Sequence, residues 1–298
     1  RLSRESHFLQ RLATTISGIE MRDLTPLLDE LRLVKSRAEL EAMRRVGRMT
    51  ARAITEAMRC CRPGLKEYQL AAVAEMLFLA DGAYGGSYRP IVAGGANAWY
   101  SHYYRNQSEL NDGDLVLMDY APDWRYYTAD IGRMWPVGGR FSPEQRELYG
   151  FIAQYRQTLL RHIRPGGMAG DILAAAAAEM ESAIRGASFS KPCYAEAARR
   201  SLAFAGHLSH PVGMSVHDPG DYCATPLTPG TVFALDPQMW VPEERLYIRV
   251  EDTVAVTDSG VEILTVGAPL DLSEIEAEME RPGMVDLGVP PAPESNPA

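Results

Sequence analysis

The chain has 298 residues, 46% of them hydrophobic, and a formal net charge of -9. That length and apolar content suffice for one large core or two smaller ones, and the acidic balance argues against nucleic acid, which wants a basic surface. No apolar run approaches the ~18 residues that a membrane-spanning helix needs, so no membrane partner is expected.

Residues 1–33 are of mixed polarity and read as a linker. Ser36 and Glu39 form a capping-box signature, and Leu40, Met43, Val46 and Ile54 follow at helical spacing. That helix should end near Cys61, before the turn Arg62-Pro63-Gly64. A second helix is expected over Lys66–Ala80, then strands at Ile91–Ala93, Asp114–Ala121 and Tyr126–Val137. Ser142-Pro143-Glu144-Gln145 caps a helix that runs to about Ile163. An alanine-rich helix follows Arg164-Pro165-Gly166, with another near Tyr194–Phe204. Strands recur at Thr231–Asp236, Tyr247–Val256 and Val261–Thr265. Residues 271–298 should form a carboxy-terminal helix and a tail whose proline content favours disorder.

The two halves echo each other. Arg62-Pro63-Gly64 precedes a helix with LAAVAEM, and Arg164-Pro165-Gly166 precedes one with LAAAAAEM. Gly113-Asp114-LVLM-Asp119 has the form of Gly230-Thr231-VFAL-Asp236. A second acid follows in each half, Asp130 and Glu251. A duplicated unit would bring both pairs of acids to one axis.

Asp119, Asp130, Asp236 and Glu251 each sit in or at the end of an apolar run, where an unpaired carboxylate is costly to bury. A bound cation keeps several such groups ionised together. His210 lies in a cluster with His207 and His217, and neutral imidazole is a frequent ligand. Four carboxylates and one imidazole nearly balance two divalent metals sharing a hydroxide, which points to a dinuclear hydrolase. Arg249 shares the face of Glu251 by strand alternation and is placed to charge-balance it. His7 and His162 read as plain surface residues, and Asp123 as a turn residue. The four cysteines, Cys60, Cys61, Cys193 and Cys223, have no zinc spacing and suit free thiols in a reducing, cytoplasmic compartment.

The stretches DELRLVKSRAELEAMRRVGRMTARA, RPGLKEYQL, DGDLVLMDY and SHPVGMSVHD resemble the catalytic domain of the Xaa-Pro aminopeptidases (aminopeptidase P), of the wider methionine aminopeptidase–prolidase–creatinase family. The resemblance runs from about Leu31 to Thr265. It implies an α+β pita-bread fold over residues 34–270, with two pseudo-symmetric α/β halves around a dinuclear metal site. It makes Asp119, Asp130, His210, Asp236 and Glu251 the metal ligands, with Asp130 and Glu251 bridging, and sets His102 and His217 beside the substrate. Manganese is the expected metal, with zinc or cobalt able to substitute. It also implies a homo-oligomer and a preceding amino-terminal domain, of which residues 1–33 would be the connecting end.

One position departs from the family pattern. Asp236 stands where the family has glutamate, one methylene longer, in ALDPQ. The expected activity is hydrolysis of the amino-terminal Xaa-Pro bond of a peptide by a metal-bridging hydroxide. His102 and His217 would bind the carbonyl, and Asp236 would also act as general base. The alternatives are a Xaa-Pro dipeptidase and a non-catalytic module that keeps the fold.

Overall fold

A reciprocal cap starts the longest helix: the Glu39 amide donates to the Ser36 hydroxyl at 3.4 Å and the Ser36 amide to the Glu39 carboxylate at 2.7 Å. The computed structural model describes residues 3–186 and 189–288. Two helices, α1 (Arg4–Thr15) and α2 (Thr25–Leu33), occupy the segment expected as a linker, and neither buries a residue. α2 is tied down at its end, where Arg32 and Lys35 both pair with the buried Asp218.

The first half consists of α3 (Arg37–Cys60), α4 (Glu67–Ala80), β1 (Ile91–Gly94), β2 (Leu115–Asp119) and β3 (Ile131–Pro136). α3 buries Met43, Val46, Gly47, Thr50, Ile54, Ala57 and Met58, the helical stripe read from the sequence. Gly47 is there for close approach, since a Cβ would lie 1.8 Å from the Leu264 carbonyl oxygen. The second half holds α5 (Pro143–His162), α6 (Ala169–Gly186), α7 (Pro192–Leu202), β4 (Val232–Leu235), β5 (Gln238–Val241), β6 (Leu246–Arg249), β7 (Glu251–Thr257) and β8 (Gly260–Ile263). The expected carboxy-terminal helix is α8 (Leu272–Met279), which packs on α3. The proline-rich tail from Val289 lies outside the described residues.

The main sheet runs β1-β2-β3-β7-β4, with β8 beside β7, and every ladder in it is antiparallel. This order and direction are what a twofold axis between β3 and β7 requires, exchanging β2 with β4. The turns repeat as well. Gly64 and Gly166 have φ of 86° and 83°, and Gly113 and Gly230 have 86° and 93°, a region open to glycine. Gly64 N–H donates to the Leu110 carbonyl at 2.9 Å, and Gly166 N–H to the Leu227 carbonyl at 2.7 Å. The fold is the pita-bread arrangement of two related α/β halves.

Three strand expectations change. β3 starts at Ile131, not Tyr126, because Arg125 and Tyr126 turn the chain at φ of 54° and 66°. The run Tyr247–Val256 is split at Val250 between two sheets, β6 pairing β5 and β7 joining the main sheet. β5 was not foreseen. Its partner register, Gln238 opposite Arg249 and Trp240 opposite Tyr247, makes it a hairpin over the end of β4.

Candidate metal centre

The sheet brings the ligand-type residues together from strand ends. Asp119 closes β2, Asp130 immediately precedes β3, Glu251 opens β7 and Asp236 follows β4. His210 comes from the loop before β4 and is held to that strand, its carbonyl accepting from Ala234 N–H at 2.9 Å. The preceding Ser209 has a φ of 147° and is clamped by the buried Tyr222, whose hydroxyl donates to the Ser209 carbonyl at 2.7 Å. Such a conformation is costly for a side-chain-bearing residue and persists only where its surroundings fix it. Here it aims His210.

All five residues line one cavity of about 360 Å³, together with Tyr88, His102, His217 and Arg249. Donor atoms of Asp130, His210 and Glu251 all lie within 4.8 Å of one another. His210 Nε2 is 3.2 Å from Asp130 Oδ2. Its Nδ1 is 3.1 Å from the Pro211 carbonyl oxygen, so a proton there donates to that carbonyl and leaves Nε2 as the lone-pair donor. Asp119 and Asp236 stand outside this tight trio. Asp119 accepts from Tyr88 at 2.8 Å and from Arg249 Nη2 at 2.5 Å, and the same Tyr88 hydroxyl is 3.2 Å from Asp130.

The donor set fits a divalent cation. Glu251 is 1% exposed, and its Oε2 is buried without a hydrogen-bond partner, although Arg249 Nε lies 3.4 Å away. A buried carboxylate oxygen left unpaired is expensive unless a cation meets it. Burial first, and then the neighbouring carboxylates, push the Asp130 and Glu251 carboxyls well above the ordinary carboxylate range. Burial likewise raises Asp236. Burial disfavours the Arg249 cation, but Glu251, Tyr247 and Asp119 outweigh it and keep the guanidinium charged.

His102 and His217 stand at the exposed rim, their ring centroids 6.1 Å apart, and the His217 ring meets that of His210 edge-on at 4.1 Å. Partial desolvation, with His210 and His102 beside it, lowers the His217 pKa below its ordinary value. The ring is neutral at pH 7 and has one N–H to donate.

The structure departs from the sequence expectation at several residues. By register Asp119 pairs with Gly132 in the first half, and one step past Leu235–Asp252 sets Asp236 opposite Glu251 in the second. Glu251 therefore takes the place of Gly132, not of Asp130. His207 lines a neighbouring cavity instead of the metal centre. His162, by contrast, is the plain helix-end residue expected, paired on the surface with Glu179 at 2.9 Å. Tyr88 was missed because it lies in an irregular stretch, GSYRP, with no periodicity to mark it. Behind the site, Asp252 is fully buried between Arg133 and Arg156, at 2.7 and 2.6 Å.

Known proteins resemble the chain over most of its length. Residues 41–258 match the model of metallopeptidase family M24. The chain is 37% identical over 274 residues to the Xaa-Pro aminopeptidase of Escherichia coli, covering 87% of this chain and 62% of that protein. It is 32% identical over 284 residues to Xaa-Pro aminopeptidase 3 of Rattus norvegicus, covering 91% and 56%. Among solved structures, zinc-substituted E. coli aminopeptidase P in complex with product superposes with a TM-score of 0.78 at 36% identity, covering 87% and 62%. The chain thus spans less than two thirds of the length of these relatives. It belongs to metallopeptidase family M24.

Proposed function

We propose that the chain is the catalytic part of a metal-dependent aminopeptidase that removes the first residue of a peptide when proline stands second. One observation carries this: four acids from four strand ends and one histidine line a single cavity, with two further imidazoles at its rim. The relatives named Xaa-Pro aminopeptidase support the choice of bond.

Asp119, Asp130, His210, Asp236 and Glu251 would hold two divalent cations, with Asp130 immediately before one central strand and Glu251 at the start of the other placed to be shared between them. When bound, these cations supply a water of lowered pKa and polarise the scissile carbonyl. Oxygen ligands with one imidazole favour manganese, and zinc or cobalt would serve in vitro. The peptide's free amine lies at the Asp119 end. His102 and His217 donate hydrogen bonds to the carbonyl oxygen as charge develops on it. Asp236, at the opposite end, takes the proton of the attacking water on a carboxylate oxygen. The Xaa-Pro bond has no amide hydrogen, so nothing in the cavity needs to accept one there. The natural assembly is proposed to be a homo-oligomer acting in the cytoplasm.

Metal analysis together with hydrolysis of a Xaa-Pro peptide, before and after chelation, tests this. Loss of turnover on chelation and its return with manganese is the expected result. Turnover unaffected by a chelator that strips all metal would overturn it.

A further inference from the structure

A second cavity of about 420 Å³ adjoins the metal centre, walled by Tyr155, Leu159, Leu173, Ala197 and Leu208. It shares Asp236, Gln238 and Trp240 with the metal-centre cavity. Positions 236, 238 and 240 alternate along an extended chain and so present one common face. The two cavities run together over that face. Of the five ligand-type residues only Asp236 lines the second cavity, and Asp119 lies on β2 beyond the two central strands. The second cavity is therefore on the side away from Asp119, where the leaving part of a peptide would go.

Two features mark it as a place for an occupant. Its volume falls in the range of pockets that enclose small ligands, about 300–1,000 Å³, and is more than one pyrrolidine ring fills. Its wall is apolar along Leu159, Leu173, Ala197 and Leu208, with the polar Arg200, Ser201 and His207 along its edge.

We infer that this cavity is a specificity pocket for a large, largely apolar side chain on the substrate's third residue, the one after proline. This rests on the aminopeptidase assignment above. With the amine at the Asp119 end and the proline ring against Asp236 and Trp240, the next residue is the first with a side chain free to enter. Arg200 and Ser201 lie along the same cavity and are placed on α7, outside the metal centre.

The experiment compares kcat/KM on Xaa-Pro peptides whose third residue is alanine, leucine, phenylalanine or tyrosine. The large residues should be favoured over alanine by about tenfold or more, as expected for filling an apolar pocket. Ser201→Trp, at the half-buried edge, and Ala197→Phe, in the wall, fill the cavity and should abolish that preference, bringing the large residues to the rate of the alanine peptide. Equal kcat/KM across the series, or a preference that survives in a folded filled variant, overturns the inference without touching the aminopeptidase assignment. Should no Xaa-Pro peptide be cleaved, that assignment falls and calorimetry decides the pocket. Prolyl-phenylalanine amide should then bind wild type more tightly than prolyl-alanine amide, and Ser201→Trp should lose the difference. Equal binding of the two amides to wild type would remove the pocket.

Discussion

Gly132 and Glu251 face each other across the one ladder that joins the two halves of the main sheet, and a Cβ on residue 132 would lie 3.0 Å from the Glu251 side chain and from Arg249 Nε. The glycine is what lets Glu251 fold its carboxylate over the neighbouring strand toward Asp130 and His210. Gly132→Ala should displace that carboxylate by a few tenths of an ångström. Overpacking of this kind costs ~1–3 kcal/mol. Manganese affinity measured by calorimetry should fall about tenfold, since ~1.4 kcal/mol is a factor of ten in affinity. An unchanged affinity would show that Glu251 reaches the metal by another path.

The raised Asp130, Glu251 and Asp236 carboxyls give the cation-free protein a distinct pH behaviour. A carboxyl raised in the folded state binds its proton more tightly than in the unfolded chain, so stability falls as pH rises from the unfolded value, ~4, through the folded one. Cation binding must expel those protons. Adding manganese to the chelated protein in weak buffer near pH 6 should therefore release protons, and apparent affinity should rise with pH. A titration with no proton release would mean that the three acids are already ionised.

Asp252 behaves in the opposite sense. Burial alone would raise its carboxyl, but Arg133 and Arg156 outweigh burial and hold it below the ordinary value. Its contribution is present above the unfolded pKa, ~3.9, and is lost as pH falls through the lowered folded value. Asp252→Asn leaves two buried guanidiniums without their counter-charge and should cost ~3–5 kcal/mol at pH 7 in urea unfolding. That difference should shrink only below about pH 4. A difference that stayed constant down to pH 2 would assign the loss to packing.

Asp236 can be tested as a ligand directly. Asp236→Asn removes one of four negative charges and should weaken metal binding and turnover together. Asp236→Glu restores the longer reach of the family pattern and should keep or raise activity. Metal content and Xaa-Pro cleavage measured on both variants decide it. An Asn variant indistinguishable from wild type would reduce Asp236 to a strand-end residue before Pro237.

The sequence by itself determined the helices from α3 onward and the duplication, though not α1 and α2, which lie in the segment read as a linker. Capping boxes at Ser36 and Ser142, the apolar stripe of α3 and the paired Arg-Pro-Gly turns are local signals, set by residues within one or two turns of each other. The ligand-type acids were legible too, because a carboxylate in an apolar run is anomalous wherever it is finally placed. What only the tertiary structure decided depends on contacts between residues distant in the chain. The bond from Tyr88 to Asp119 and Asp130 comes from an irregular segment. The exchange of Gly132 for Glu251 across the axis depends on strand register, which no single strand reveals. The strained Ser209 under Tyr222, and the hairpin of β5 on β6 with the apolar cavity beside it, likewise appear only when separate elements pack. Local pattern sets which face of an element is buried, but the register and packing that bring its side chains to one site follow from the whole fold.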